Sequence, residues 1–170
     1  MSFAHANLRS YFLTLVLFIS GVYVRAILQR VLSASVSVDN NELATIKQGL
    51  LVYLAFAPSD ADKDIDWMIH KIEHLRIFAD ARQRMNLSLL DVCGQILYVS
   101  QFTLYADCRR GHRPSFVGAM APDAAHQLYQ LFEHKARQSS LDTRFGVFAA
   151  DMQISSVNDG PVTIILNSKS

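Results

Sequence analysis

The chain is poor in cysteine, nearly without net charge, and short of apolar runs that could cross a bilayer. Each absence excludes something. Cys93 and Cys108 are the two cysteines in 170 residues. They are too few for a disulfide framework and read as reduced thiols, small buried or half-buried side chains without chemistry, in a cytoplasmic protein. Lys and Arg number 16 against 15 Asp and Glu, for a net charge of +1. A protein that grips a long stretch of nucleic-acid backbone is far more basic, so any phosphate contact here is local and short. A metal-ligand set is missing too. His70 and His74 are spaced i, i+4, which could hold a metal. However, they lie opposite the apolar stripe of their helix, no Glu stands between them, and no third ligand is evident. Neither metal nor cofactor is expected.

The conspicuous apolar run is Tyr11–Val24, YFLTLVLFISGVYV, short of the roughly 20 residues a membrane helix needs. It has the length of a signal-peptide hydrophobic region, yet the nearby small-x-small site, Ser33-Ala34-Ser35, would be cut inside a strand. Residues 1–23 therefore read as a foreign extension. They could be a weak anchor, an extra buried segment, or a stretch outside the working protein.

The full chain is 51% hydrophobic with a mean hydropathy of +0.16, enough for one packed domain with one sizeable core. The stretch Arg25–Val38 is β-rich and alternates through Ala34, Val36 and Val38. Asp39-Asn40-Asn41 is a turn cluster. Gly49–Phe56 is a continuous apolar run of central-strand length. Ser59-Asp60-Ala61-Asp62 predicts a helix start with a capping hydroxyl, and Ile65, Met68, Ile69, Ile72 and Leu75 form its apolar stripe. Residues 84–91 read as an irregular connection. Gln95–Thr103 is expected to be a strand, and Pro122-Asp123 opens a second amphipathic helix whose buried face includes Leu128, Tyr129 and Phe132. Two closing strands, Phe148–Val157 and Val162–Leu166, flank Asn158-Asp159-Gly160-Pro161, a hairpin signal with an unusual proline.

One stretch concentrates chemistry. Ser100, Gln101 and Thr103 place two hydroxyls and an amide together, just ahead of Arg109, Arg110 and Arg113. That grouping suits an anionic substrate with a polar reacting group.

Six segments carry a resemblance to the bacterial-type D-aminoacyl-tRNA deacylases, also called D-tyrosyl-tRNA deacylases. They are Arg25–Val31, Ile72–Phe78, Met85–Ser88, Ser100–Asp107, Gly111–Phe116 and Asn158–Thr163, in order over most of the chain after Val24. The resemblance implies a single α+β domain, residues 24–170, with a curved, barrel-like mixed β-sheet and two main amphipathic helices. It implies a cytoplasmic homodimer, without membrane attachment, that hydrolyses the ester joining a D-amino acid, or mischarged glycine, to the 3′ acceptor end of tRNA. The signature carried over to Ser100, Gln101, Phe102 and Thr103 would form the catalytic cradle. Backbone N–H groups around Gln101 and Phe102 would stabilise the oxyanion, with Thr103 as nucleophile or, preferably, as the residue that orients water. Gly160 and Pro161, joined by a cis bond, would enter the partner subunit's pocket as a chiral gate. Phe148 and Met152 are assigned to the substrate pocket, and Arg109, Arg110 and Arg113 to tRNA contact. The sequence departs from the family pattern at Ala149, where glycine is expected, and at its start, since the family begins with Met where Val24 stands here. The competing readings are a non-catalytic module that binds the tRNA acceptor end and a general acyl hydrolase with Thr103 as nucleophile.

Overall fold

A computed structural model describes residues 23–168. All but the last residue of the 1–23 extension therefore lies outside the described part. The strands and helices are β1 (Arg25–Val38), β2 (Asn41–Ile46), β3 (Gly49–Ala55), α1 (Asp62–His74), β4 (Phe78–Ala79), β5 (Met85–Leu87), β6 (Gln95–Ser100), α2 (Pro122–Ala136), β7 (Thr143–Phe145) and β8 (Gln153–Asn167).

β1 is the spine. Its first half pairs antiparallel with β3 and its second half with β2, while β8 runs antiparallel along nearly its whole length. β6 adds to β3 in parallel, and β7 to β6 in parallel. The result is a mixed six-stranded sheet in which β2 folds over towards β6 and β7, nearly closing a barrel. The expected α+β class, with a curved mixed sheet and two helices in one domain, is the fold observed.

Alternation along the strands divides the core in two. Leu50, Val52 and Leu54 of β3 and Ile96 and Tyr98 of β6 face the helices, where they meet Ile65, Met68 and Ile72 of α1 and Tyr129, Phe132 and Ala136 of α2. Leu51, Leu97 and Val99 point the other way and pack with Val31, Ala34, Val36 and Ile46 inside the curl. This is why β3 and β6 read as unbroken apolar runs: both faces are covered. Each such buried aliphatic side chain stabilises the fold by about 1.5–3 kcal/mol. Among the described residues no helix is long and apolar enough to cross a membrane.

Five expectations are corrected. The strand expected to reach Thr103 stops at Ser100, and Phe102–Tyr105 forms a 3₁₀ turn. The reason is loss of neighbours, since β3 ends at Ala55 and β7 at Phe145, so the chain beyond has no ladder to join. The hairpin expected at Asn158–Pro161 is instead the middle of one long strand, β8, whose two halves both pair with β1 across an irregularity. The residue at the α1 cap is Ala61 rather than Ser59. The Asp64 carboxylate, three residues on, accepts the Ala61 N–H at 3.0 Å. Residues 85–87, read as irregular, form β5 and pair with β4. β2 and β7 were not anticipated; β2 is a polar edge strand with only Ile46 buried. Cys93 and Cys108, expected to be buried or half-buried, are both exposed free thiols.

Gly49 opens β3 against the start of β6. A Cβ there would lie 1.9 Å from the Gln95 carbonyl oxygen, a backbone atom that cannot rotate away. Gly49→Ala is expected to destabilise the protein by roughly 3 kcal/mol or more, read as a lower urea midpoint in equilibrium unfolding.

Candidate active site

The site grows from the point where two parallel strands end together. Leu54 of β3 lies opposite Ser100 of β6, and the next residue donates its N–H to the Leu54 carbonyl, Gln101 N–H to O at 2.8 Å. Past that bond the backbone curls through Phe102–Tyr105, closed by Leu104 N–H on Gln101 O (3.2 Å) and Ala106 N–H on Thr103 O (3.0 Å). Ligands of sheets with parallel strands sit beyond such carboxyl ends.

Arg25 pins this turn. It donates Nη1 to the Leu104 carbonyl (3.0 Å) and Nε to Asn167 Oδ1 (3.0 Å), and its guanidinium lies 5.1 Å from the centre of the Tyr105 ring. Burial, reinforced by Asp60, pushes the Tyr105 hydroxyl well above the ordinary phenol range.

Within the turn, Gln101 Nε2 donates to Thr103 Oγ1 at 2.6 Å. The Thr103 hydroxyl thus accepts from an amide and keeps its own hydrogen to donate. No histidine or carboxylate is hydrogen-bonded to it among the described residues. Of the two backbone donors expected from sequence, Gln101 N–H is taken by Leu54. Phe102 N–H, at the opening of the 3₁₀ turn, has no partner within the turn. Ser100 is half-buried and Phe102 is 57% exposed.

The same rim receives the chain after β7. Gly146 N–H bonds the Tyr98 carbonyl at 2.8 Å, continuing alongside β6. Phe148 then stacks on His126 of α2 (4.9 Å between centroids, 23° between planes), with Tyr129 5.6 Å away. Met152 closes against Gly146, where a Cβ would meet its Sδ at 2.6 Å. Between them Ala149 sits in the left-handed region at φ +61°. The left-handed region favours glycine, the residue that the resemblance called for here, and the alanine occupies it at a cost.

The three arginines assigned to tRNA differ. Arg109 is turned onto Asp107, donating Nε to Oδ1 (2.8 Å) and Nη2 to Oδ2 (2.6 Å). Those bonds hold the Asp107 carboxyl well below the usual carboxylate range. Arg110 and Arg113 are exposed, and Arg110 lines a shallow concavity of about 470 Å³ with Asp107, Arg109 and Ser115.

Gly160 and Pro161 lie elsewhere. Their peptide bond is cis, Gly160 has φ +120°, and both residues are exposed. They occupy the interruption of the β1–β8 ladder, between Asn158, opposite Val31, and Thr163, opposite Gln29. The pairing Arg30↔Leu50 against Leu54↔Ser100 puts them four β3 residues from the cradle, about 13 Å along the sheet, and three strands across. One chain does not bring the two signatures together. Arg30 holds the segment in place, with Nε 2.8 Å from Asp159 Oδ2 and Nη1 donating to the Ile77 carbonyl at 2.5 Å. Asn158 Oδ1 accepts Val162 N–H at 3.1 Å.

Sequence reasoning quoted Arg25 and Arg30 in a matching segment without giving them work. The signal for Arg30 was its phase: Val24, Ala26 and Leu28 point inward, and Arg30 follows them, a charge at a core position with its side chain 11% exposed.

Comparison with known proteins decides the family. The family described as D-Tyr-tRNA(Tyr) deacylase matches residues 27–167. The chain belongs to that family. Among its relatives, a D-aminoacyl-tRNA deacylase of Clostridioides difficile (strain 630) is 50% identical over 145 residues, 85% of this chain and 97% of the relative. That of Desulfotalea psychrophila is 49% identical over 146 residues, 86% of this chain and 98% of the relative. A solved structure titled c-Myc DNA Unwinding Element Binding Protein is 37% identical with a TM-score of 0.80, covering 86% of this chain and 99% of its own. A second, titled as a probable eukaryotic D-amino acid tRNA deacylase, shares the fold at 19% identity and a TM-score of 0.73. For this member of the family, Ala149→Gly is expected to stabilise the protein by about 1 kcal/mol by relieving the left-handed alanine. A rise of about 2–4 °C in thermal midpoint checks it.

Proposed function

We propose that the protein hydrolyses the ester of D-aminoacyl-tRNA, and of glycine mischarged onto tRNA, at sites each built from two subunits. The observation that carries the reading is 50% identity to a D-aminoacyl-tRNA deacylase over almost its entire length. An aminoacyl ester is intrinsically reactive, so positioning a water and stabilising the oxyanion suffice. Thr103, with a hydrogen to donate and no histidine or carboxylate bonded to it among the described residues, orients the water. Phe102 N–H faces the developing charge. Phe148 and Met152 line the pocket, and Arg110 and Arg113 meet the acceptor end. Such a substrate places the enzyme in the cytoplasm.

The gate works in trans. Gly160 and Pro161 of one subunit enter the cradle of the other, where rigid backbone excludes an L side chain and leaves a D side chain pointing outward. An apolar row supports a dimer. Tyr53, Ile27 and Ile165 stand opposite one another across β3, β1 and β8, and Ile165 is 64% exposed. This row and exposed Phe102 form the face a second copy covers.

Incubation with D-Tyr-tRNA, Gly-tRNA and L-Tyr-tRNA side by side tests the reading. Release of the first two amino acids and sparing of L-tyrosine are expected. Binding without release would instead identify a module that holds the acceptor end. Thr103→Ala should lower kcat by about 10²-fold with no acyl-enzyme burst in the parent protein. Pro161→Ala should raise L-Tyr release while leaving D-Tyr release largely intact.

A further inference from the structure

The β4–β5 hairpin, remote from the cradle of its own chain, has no part in the chemistry above, yet it is built to present charge. Over residues 76–86 it carries Arg76, Arg82 and Arg84 against the single acid Asp80. Asp80 Oδ1 accepts the backbone N–H of both Arg82 (2.8 Å) and Arg84 (3.0 Å). That pair of bonds fixes the tip. At the base, Arg76 donates Nε to the Asn86 carbonyl at 2.6 Å and also bonds the Asn86 side chain. Among the described residues neither Arg82 nor Arg84 meets an acidic side chain in an ion pair. Both are exposed and line a concavity of about 450 Å³ with Asp80, Ala81, Met85 and Asn86.

The position of the hairpin gives the patch a meaning. Arg30, which holds Asp159 beside Gly160 and Pro161, also holds the Ile77 carbonyl, one residue before β4. The hairpin is therefore anchored to the gate segment of its own chain. We propose that Arg82 and Arg84 grip backbone phosphates of the tRNA whose aminoacyl end lies in the partner subunit's cradle. Each tRNA thus rests on both subunits. This rests on the function proposed above and adds to it the surface that holds the RNA. Two exposed guanidiniums on a tip whose backbone is held by Asp80 suit phosphate oxygens, and two contacts agree with a chain of net charge +1.

The test is the full-length double variant R82A/R84A, assayed on D-Tyr-tRNA and on 3′-O-D-tyrosyl-adenosine from 50 to 200 mM KCl. For the tRNA ester, KM should rise about tenfold or more with kcat within twofold. The log–log salt dependence should flatten by about 1.4–1.8, or 0.7–0.9 per lost phosphate contact. The adenosine ester, which has no RNA backbone, should be turned over equally by parent and variant. An unchanged KM and salt slope would overturn the proposal, as would an equal loss on both substrates. In mixed dimers of a T103A chain with an R82A/R84A chain, the competent cradle faces the intact hairpin of its partner. A KM close to that of the parent is expected there, and a raised KM would overturn the placement in trans. If the parent releases no D-tyrosine, the deacylase reading fails by itself. Anisotropy with uncharged tRNA then still decides the surface, with weaker binding by the double variant supporting it and equal binding rejecting it.

Discussion

The hydrogen bond from Gln101 N–H to the Leu54 carbonyl marks where sheet becomes site. It is the last rung between two parallel strands that end together, and it forces the following residues to find a conformation without a ladder. The 3₁₀ turn is that conformation, and it brings the Gln101 amide onto the Thr103 hydroxyl. The geometry depends on the packing beneath it. Leu54 and Tyr98 are buried under the helices, Val99 is buried in the curl, and Arg25 clamps the turn from β1 to the end of β8.

Residues whose environment follows from periodicity were legible. Leu50–Leu54, Ile65–Ile72 and Tyr129–Ala136 announced the two buried faces of a sheet and the stripes of two helices, and those are the core. Periodicity misled where tertiary context ended it. The alternation through Ser100–Leu104 continues in the sequence, but the neighbouring strands do not, so Phe102 faces outward rather than into a core. Asn158–Pro161 carries hairpin chemistry. However, β1 is long enough to pair with the segments on both sides of it, and the turn residues became an interruption within one strand.

The site was legible in part. Its residue types and order were enough to place the family resemblance, and Ala149 stood out as the position where glycine was wanted; its positive φ gives the reason. What sequence order could not convey was partnership. Asp107 claims Arg109, Leu54 claims the Gln101 N–H, and Arg30 ties Ile77 to Asp159. Each of these joins residues whose pairing is settled only when the sheet curls.

β1 holds both ends of this machinery, gripping the cradle turn through Arg25 and the Gly160–Pro161 segment through Arg30. If the gate works in trans, as proposed, one strand of each chain would serve two different active sites. Genetics would register that arrangement as complementation: a chain defective in its cradle and a chain defective in its gate, expressed together, assemble mixed dimers in which one of the two sites receives both sound halves.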